Sequence, residues 1–253
     1  MLTRMVNVFR DIYSVLWVDL RFLRRHWLRT LATSLVNPLL YLVAFGYGLG
    51  SGINFEGYNY LAFVMPGIIA LTAMSSSYGG AGLKLHVDRL FYKCFDEYLM
   101  SPISLFSLAI GKTLIGVVRG LISTVAILLV GVLISPELMV TPLFVIVLVT
   151  SCFVFSFLGV LIGLWAKSHQ DLGTFSTLVI LPMTFLSGTF FSLSQLPEAV
   201  KAVLYMFPLT HSSQCLRAAA LNQPFPWLSF AALLSFGAVF FVGCMWLLKR
   251  TSV

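Results

Sequence analysis

Five stretches of this chain, residues 30–55, 57–83, 138–166, 172–197 and 218–248, contain no Asp, Glu, Lys or Arg. Each is longer than the roughly 20 helical residues that cross a hydrocarbon core of about 30 Å. A soluble helical bundle needs a polar face on nearly every helix, and these runs have none. Membrane β-strands are about ten residues long and alternate in polarity, and these runs do neither. A sixth apolar stretch, 105–134, is interrupted only by Lys112 and Arg119. The sequence therefore predicts an all-α integral membrane protein with six transmembrane helices, at about 31–50, 60–83, 105–134, 142–165, 172–193 and 228–248. Composition agrees: only 10% of the 253 residues are charged, against about 25% in a soluble domain.

The placement of the charge predicts an orientation. Arg4, Arg10, Arg21, Arg24, Arg25 and Arg29 precede the first span, Lys84, Arg89 and Lys93 follow the second, Lys167 follows the fourth, and Lys249 and Arg250 follow the sixth. Lys201 and Arg217 fall on the other side. Basic residues collect on the cytoplasmic side of membrane proteins, so both termini are expected in the cytoplasm. The net charge of +7 then meets anionic lipid headgroups and does not call for nucleic acid. The amino-terminal residues do not read as a cleaved secretory signal, and the four cysteines form no disulfide framework.

Outside the spans, three segments stand out. Residues 1–30 read as a cytoplasmic amphipathic interface helix, with Val8, Ile12, Val15, Leu16, Leu20 and Leu23 at helical spacing and Trp17 and Trp27 at headgroup level. Residues 31–253 form the six-helix membrane domain. Residues 84–101 are the most polar internal segment, in which Leu90, Phe91, Cys94, Phe95, Tyr98 and Leu99 repeat beside Arg89, Lys93, Asp96 and Glu97. Such a helix suits docking of another protein, and a surface hairpin held by local ion pairs is the alternative. Residues 194–227 predict short outer helices, re-entrant or interfacial, before the last span.

Within the spans, Ser75, Ser76 and Tyr78 offer polar groups to a central path, although a serine in a helix also bonds to its own carbonyls. Lys112 sits near enough to the cytoplasmic boundary to snorkel, and Arg119 is deeper, suited to a buried pair or to a cargo-facing cation. Gly46/Gly50 has the small-xxx-small spacing, Gly116 and Gly120 beside Arg119 offer a close helix contact, and Gly159 and Gly163 end the fourth span. No acidic residue is placed in a span, which argues against ion-coupled transport. The scattered His26, His86, His169 and His211 lack metal-site spacing, the glycine run 46–52 lacks the Lys-Ser or Lys-Thr of a phosphate loop, and no nucleophile motif is present.

In order along the chain, these features resemble the permease subunits of ABC-2 type exporters, the branch holding multidrug, polysaccharide and lipo-oligosaccharide permeases. The resemblance is carried by residues 166–197, AKSHQDLGTFSTLVILPMTFLSGTFFSLSQLP, then Phe207-Pro208-Leu209-Thr210-His211, with Asn37-Pro38, Met65-Pro66-Gly67, and Glu97 before Leu99-Met100-Ser101-Pro102. It implies a homodimer or heterodimer of permeases served by separate ABC ATPase subunits, two in number, that hold ATP and Mg2+; this chain itself would bind no cofactor. Arg89, Leu90, Phe91, Cys94, Phe95, Glu97 and Tyr98 would form the coupling face, and Ser75, Ser76, Tyr78, Arg119, Thr184 and Phe185 the translocation path. Phe45, Tyr47 and Phe190 would add aromatic surface. Leu196, Pro197, Phe207, Pro208 and His211 would form the outer gate. The expected location is a bacterial or archaeal plasma membrane, the inner one in a Gram-negative cell. The cargo would be an amphipathic drug-like molecule, a lipid or a lipid-linked glycan; an ABC-powered importer, and a channel or scaffold without ATPase, remain the alternatives.

Overall fold

The computed structural model describes residues 2–49, 54–55, 58–134, 138–191 and 197–251. The chain opens in α1 (Leu2–Arg25), whose Val15, Asp19 and Leu23, one turn apart, form its buried side, while Phe9, Tyr13, Trp17, Val18 and Phe22 are exposed. After His26 it re-enters helix as α2 (Trp27–Tyr41), which continues as a π-helical segment, Leu42–Leu49. A pair not foreseen from the sequence, β1 (Asn54–Phe55) antiparallel to β2 (Tyr58–Asn59), leads into α3 (Tyr60–Leu90), whose first turn is capped by Asn59. Then come α4 (Phe95–Met100), α5 (Leu105–Ile134) and α6 (Pro142–Trp165), the last started by the Thr141 hydroxyl, which accepts from the Phe144 amide at 3.1 Å. Ser168 and Asp171 form a reciprocal capping box for α7 (His169–Phe175). A second π-helical segment, Ser176–Ile180, joins α7 to α8 (Leu181–Leu186). The chain ends with α9 (Glu198–Leu204), α10 (Pro208–Ala220) and α11 (Trp227–Thr251).

Among the described residues, five helices are long and apolar enough to cross a membrane: Trp27–Gly46, Tyr60–Leu90, Leu105–Ile134, Pro142–Trp165 and Trp227–Arg250. The expected span at 172–193 is built differently. Helix runs over 169–186, near the short end of the roughly 17–25 residues a span requires, and after it Gly188 takes φ 70° and the backbone leaves helix. Pro182, which has no N–H for the preceding turn, lies two residues after the π-helical segment, so the irregularity lies where the sequence removes a helix bond.

α3 is the axis. Every residue from 62 to 74 is buried, α5 and α6 pack along it, α1 lies against α5, α11 against α6, and α10 is inserted among α3, α6 and α11. Lipid tails are as apolar as leucine, so helices in a membrane are held by close packing and not by expulsion from water. Glycine supplies that closeness. A methyl group on Gly82 would stand 2.6 Å from the Gly159 carbonyl oxygen, one on Gly163 2.7 Å from that of Gly82, and one on Gly116 2.7 Å from that of Ser77. Of the first glycine pair, Gly46 packs on Leu61, and Gly50 lies outside the described residues.

Candidate functional site: coupling face, path and outer cap

The segment expected as one coupling helix over 84–101 is two pieces. α3 continues unbroken to Leu90, and after a turn with Lys93 at φ 51° the six-residue α4 begins. The continuation is explained by what surrounds its charges. Lys112 of α5 is 2% exposed and bonds Asp19 of α1 and Asp88 of α3, each at 2.9 Å. Lys84 pairs with Asp88 one turn away and lies 3.7 Å from Asp19. The Tyr98 ring of α4 stands 4.9 Å from the Lys112 ammonium. Two expectations are thereby corrected. Lys112 does not snorkel, because two carboxylates neutralise it inside the protein; and an acid, Asp88, does lie on a spanning helix, near its end.

Further contacts tie the end of α3 and the start of α4 to the bundle. Arg89 donates to the Leu164 carbonyl and, at 3.4 Å, to that of Ala166, at the end of α6. The Cys94 thiol donates to the Asp88 carbonyl at 3.6 Å; burial, with Asp88 adding to it, raises its pKa, so it is a protonated filler. Leu90 and Tyr98 are half-buried, and burial raises the Tyr98 phenol. Phe95, expected as a docking residue, is 1% exposed and packs with Val15, Leu85, Leu108 and Leu164. It anchors α4 and has no surface to offer. Phe91 (71% exposed), Tyr92 (70%), Asp96, Glu97 and Met100 do.

At the other end, α9 is followed after residues 205–207 by α10. Pro197 precedes α9, Phe207 and Pro208 start α10, and the Thr210 hydroxyl donates to the Leu204 carbonyl at 2.7 Å. His211 is buried, its Nε2 2.9 Å from the Tyr205 carbonyl oxygen. Leu196 lies outside the described residues. α9 is mostly exposed and α10 mostly buried, so the outer material comprises one surface helix and one inserted helix. Arg217 holds the insertion: it donates to the carbonyls of Phe63 (3.1 Å), Gly188 (2.8 Å) and Thr189 (3.3 Å), with its guanidinium carbon 3.8 Å from the Phe63 ring centre. Replacing Arg217 by Ala would leave these buried carbonyls without a charged donor, a loss of about 3 kcal/mol. The expected result is a lower melting temperature in detergent and faster proteolysis at 187–207. Lysine, lacking the planar fork, should not restore it.

Between the two ends, Ser75 donates to the Leu71 carbonyl of its own helix at 2.9 Å and Thr184 to that of Ile180 at 2.9 Å, so both hydroxyls are spent locally. Ser76 is buried. Tyr78 joins α3 to the second π-helical segment through Ser176, at 3.3 Å. The expected aromatic surface is partly assembled: Phe45 stacks on Phe190 at 4.1 Å between ring centres, and Phe185 lies 6.3 Å from Phe190. Tyr41, not singled out in the sequence, completes the group at 5.5 Å from Phe190. The Tyr47 side chain is outside the described residues. Arg119 lies against Gly80, and its buried Nε has no partner among the described residues.

The profile of the ABC-2 type transporter family matches residues 10–221, most of the chain. The chain belongs to this family. An inner membrane transport permease, YadH of Escherichia coli (strain K12), is 26% identical over 251 residues, covering 97% of this chain and 98% of its own. Nodulation protein J of Rhizobium meliloti (strain 1021) is 27% identical over 199 residues, covering 78% and 76%.

In this ABC-2 permease, the four-charge cluster Asp19, Lys84, Asp88 and Lys112 is the feature that reading the sequence missed. One signal was present: Asp19 stands between Val15 and Leu23 at four-residue spacing, on the face that α1 turns inward. Arg217 gave no such signal, since its partners are backbone carbonyls contributed by distant segments.

Proposed function

We propose that this chain is the transmembrane half of an ATP-driven exporter, with a separate ATPase docked on α4 and the turn before it. The observation that carries this reading is the contrast within one short segment. Phe95, buried in one cluster with residues of α1, α3, α5 and α6, and Tyr98, against the Lys112 ammonium, anchor α4, while Phe91, Asp96, Glu97, Met100 and Tyr92, the last 6.0 Å from the Lys84 ammonium, are exposed. A rigid element with an apolar and acidic outer surface transmits a push without absorbing it. The end bearing α4 lies in the cytoplasm by the basic residues around it, and both termini lie on that side. Two ATPase subunits, holding ATP and Mg2+, serve two permease copies, identical or paralogous. The inner membrane location and transport role named for the Escherichia coli relative fit this placement.

The cargo class is an amphipathic small molecule, a lipid or a lipid-linked glycan, passing between the permeases along surfaces that include Tyr41, Phe45, Phe185 and Phe190. The coupling face is tested by purifying the tagged chain from its own membranes. Wild type should retain an ATPase, and Glu97→Lys with Tyr92→Ala should lower retention at least about tenfold, the equivalent of about 1.4 kcal/mol, with membrane insertion unchanged. Full retention by the double variant would refute docking there.

A further inference from the structure

A cleft of about 770 Å3 opens beside the last two turns of α1, lined by Val18, Asp19, Arg21, Phe22, Arg24, Arg25, His26 and Lys84. Its charge is one-sided. The single acid, Asp19, has one oxygen bonded by Lys112 at 2.9 Å; its other oxygen, 3.7 Å from Lys84, has no hydrogen-bond partner among the described residues. Among the described residues, no ion pair involves Arg21, Arg24 or Arg25. Beside it a smaller cavity of about 50 Å3 shares the lining residues Asp19, Phe22 and Lys84 and adds Thr30, Gly80 and Arg119. Arg119 brings to it the buried Nε that has no partner. Cations thus line the way from the protein surface to a point inside the bundle, and an unsatisfied buried guanidinium nitrogen costs stability unless something accepts its hydrogen bond.

The surroundings specify what that something is. Phe9, Tyr13 and Trp17, at four-residue intervals, and Val18 and Phe22 beside them are all exposed on α1. An apolar stripe on a helix rich in arginine is the pattern of a helix lying in the headgroup layer. α2, the first span, starts at Trp27, directly after the cleft. The mouth of the cleft therefore opens at headgroup depth, with Val18 and Phe22 as apolar wall next to the arginines. A soluble anion would have no use for that wall.

We propose that this cleft is a binding site for an anionic phospholipid, with the phosphate held by Arg24, Arg25 and Lys84, Arg119 closing the inner end, and the glycerol and first acyl carbons against Val18 and Phe22. Lys84 belongs to the cluster that fixes α4, so an occupied site adds an anion to the charges that tie α1 to α3.

The test is native mass spectrometry of the purified full chain in neutral detergent with equimolar phosphatidylglycerol and phosphatidylcholine of equal acyl length. Wild type should retain phosphatidylglycerol at least about tenfold over phosphatidylcholine. Arg24→Gln with Arg25→Gln, exposed positions where folding is not at stake, should lower that retention about tenfold, since each basic residue at an anionic surface contributes measurably. Arg119→Gln should lower it as well, and Arg250→Gln, at the far end of the chain, should leave it unchanged. Equal retention of both lipids would overturn the proposal. So would an equal loss in Arg250→Gln, which would mean diffuse attraction, or displacement of the lipid by millimolar inorganic phosphate, which would mean a site for a soluble anion.

Discussion

Replacing Lys112 by methionine is expected to destabilise the protein by about 3 kcal/mol or more, because it leaves the carboxylates of Asp19 and Asp88 buried without their ammonium. Lys84 offsets part of the loss, being close to both. The measurement is the melting temperature in detergent together with the yield of monodisperse protein. Removing the three buried charges and keeping Lys84 at the more exposed edge tells why. Buried ions replaced together by neutral residues are often as stable as before, so Asp19→Asn, Asp88→Asn and Lys112→Met together should melt well above Lys112→Met alone. If the purpose of the cluster is to hold α4 rigid for the ATPase, the triple variant should be folded and still poorly coupled. A single Lys112→Met variant that melts like wild type would show that the charges are solvated.

Gly159→Val should be comparably severe for a different reason. A Cβ at Gly159 would lie 2.5 Å from the Tyr78 carbonyl oxygen and 3.0 Å from the Gly82 amide nitrogen. Both neighbours are backbone, so no rotamer change relieves the clash and α3 must separate from α6. Overpacking commonly costs about 1–3 kcal/mol, and here the lost contacts run along the bundle axis, so the upper end or beyond is expected. The readout is loss of monodisperse protein with insertion retained. Gly79→Ala is the internal control: nothing lies within 4 Å of a Cβ there, and alanine is the better helix former by about 1 kcal/mol, so its melting temperature should hold or rise.

Much of this was legible because the signals are local. The apolar part of the inward face of α1 is written in Val15 and Leu23, the close helix contact of α5 in Gly116 and Gly120, and the self-bonding of Ser75 in its place within a helix. What stayed hidden depends on partners remote in the chain. Lys84 and Asp88 look like a solvated pair until Lys112 and Asp19 are placed beside them, and Phe95 looks like part of a docking stripe until the ends of α5 and α6 cover it. The aromatic group shows both sides. Tyr41 and Phe45 share a helix face at four-residue spacing, whereas their meeting with Phe190 requires the fold. The break after residue 186 was hidden in another way, since Ser187-Gly188-Thr189 carries no charge and reads as more span.

Division of labour between this chain and an ATPase is tested most directly by ATP hydrolysis in proteoliposomes containing the ATPase that co-purifies with it. Hydrolysis should be stimulated by the reconstituted chain and should fall toward the level of the ATPase alone in Glu97→Lys with Tyr92→Ala. A chain that holds no ATPase and conducts solute passively when reconstituted alone would contradict it.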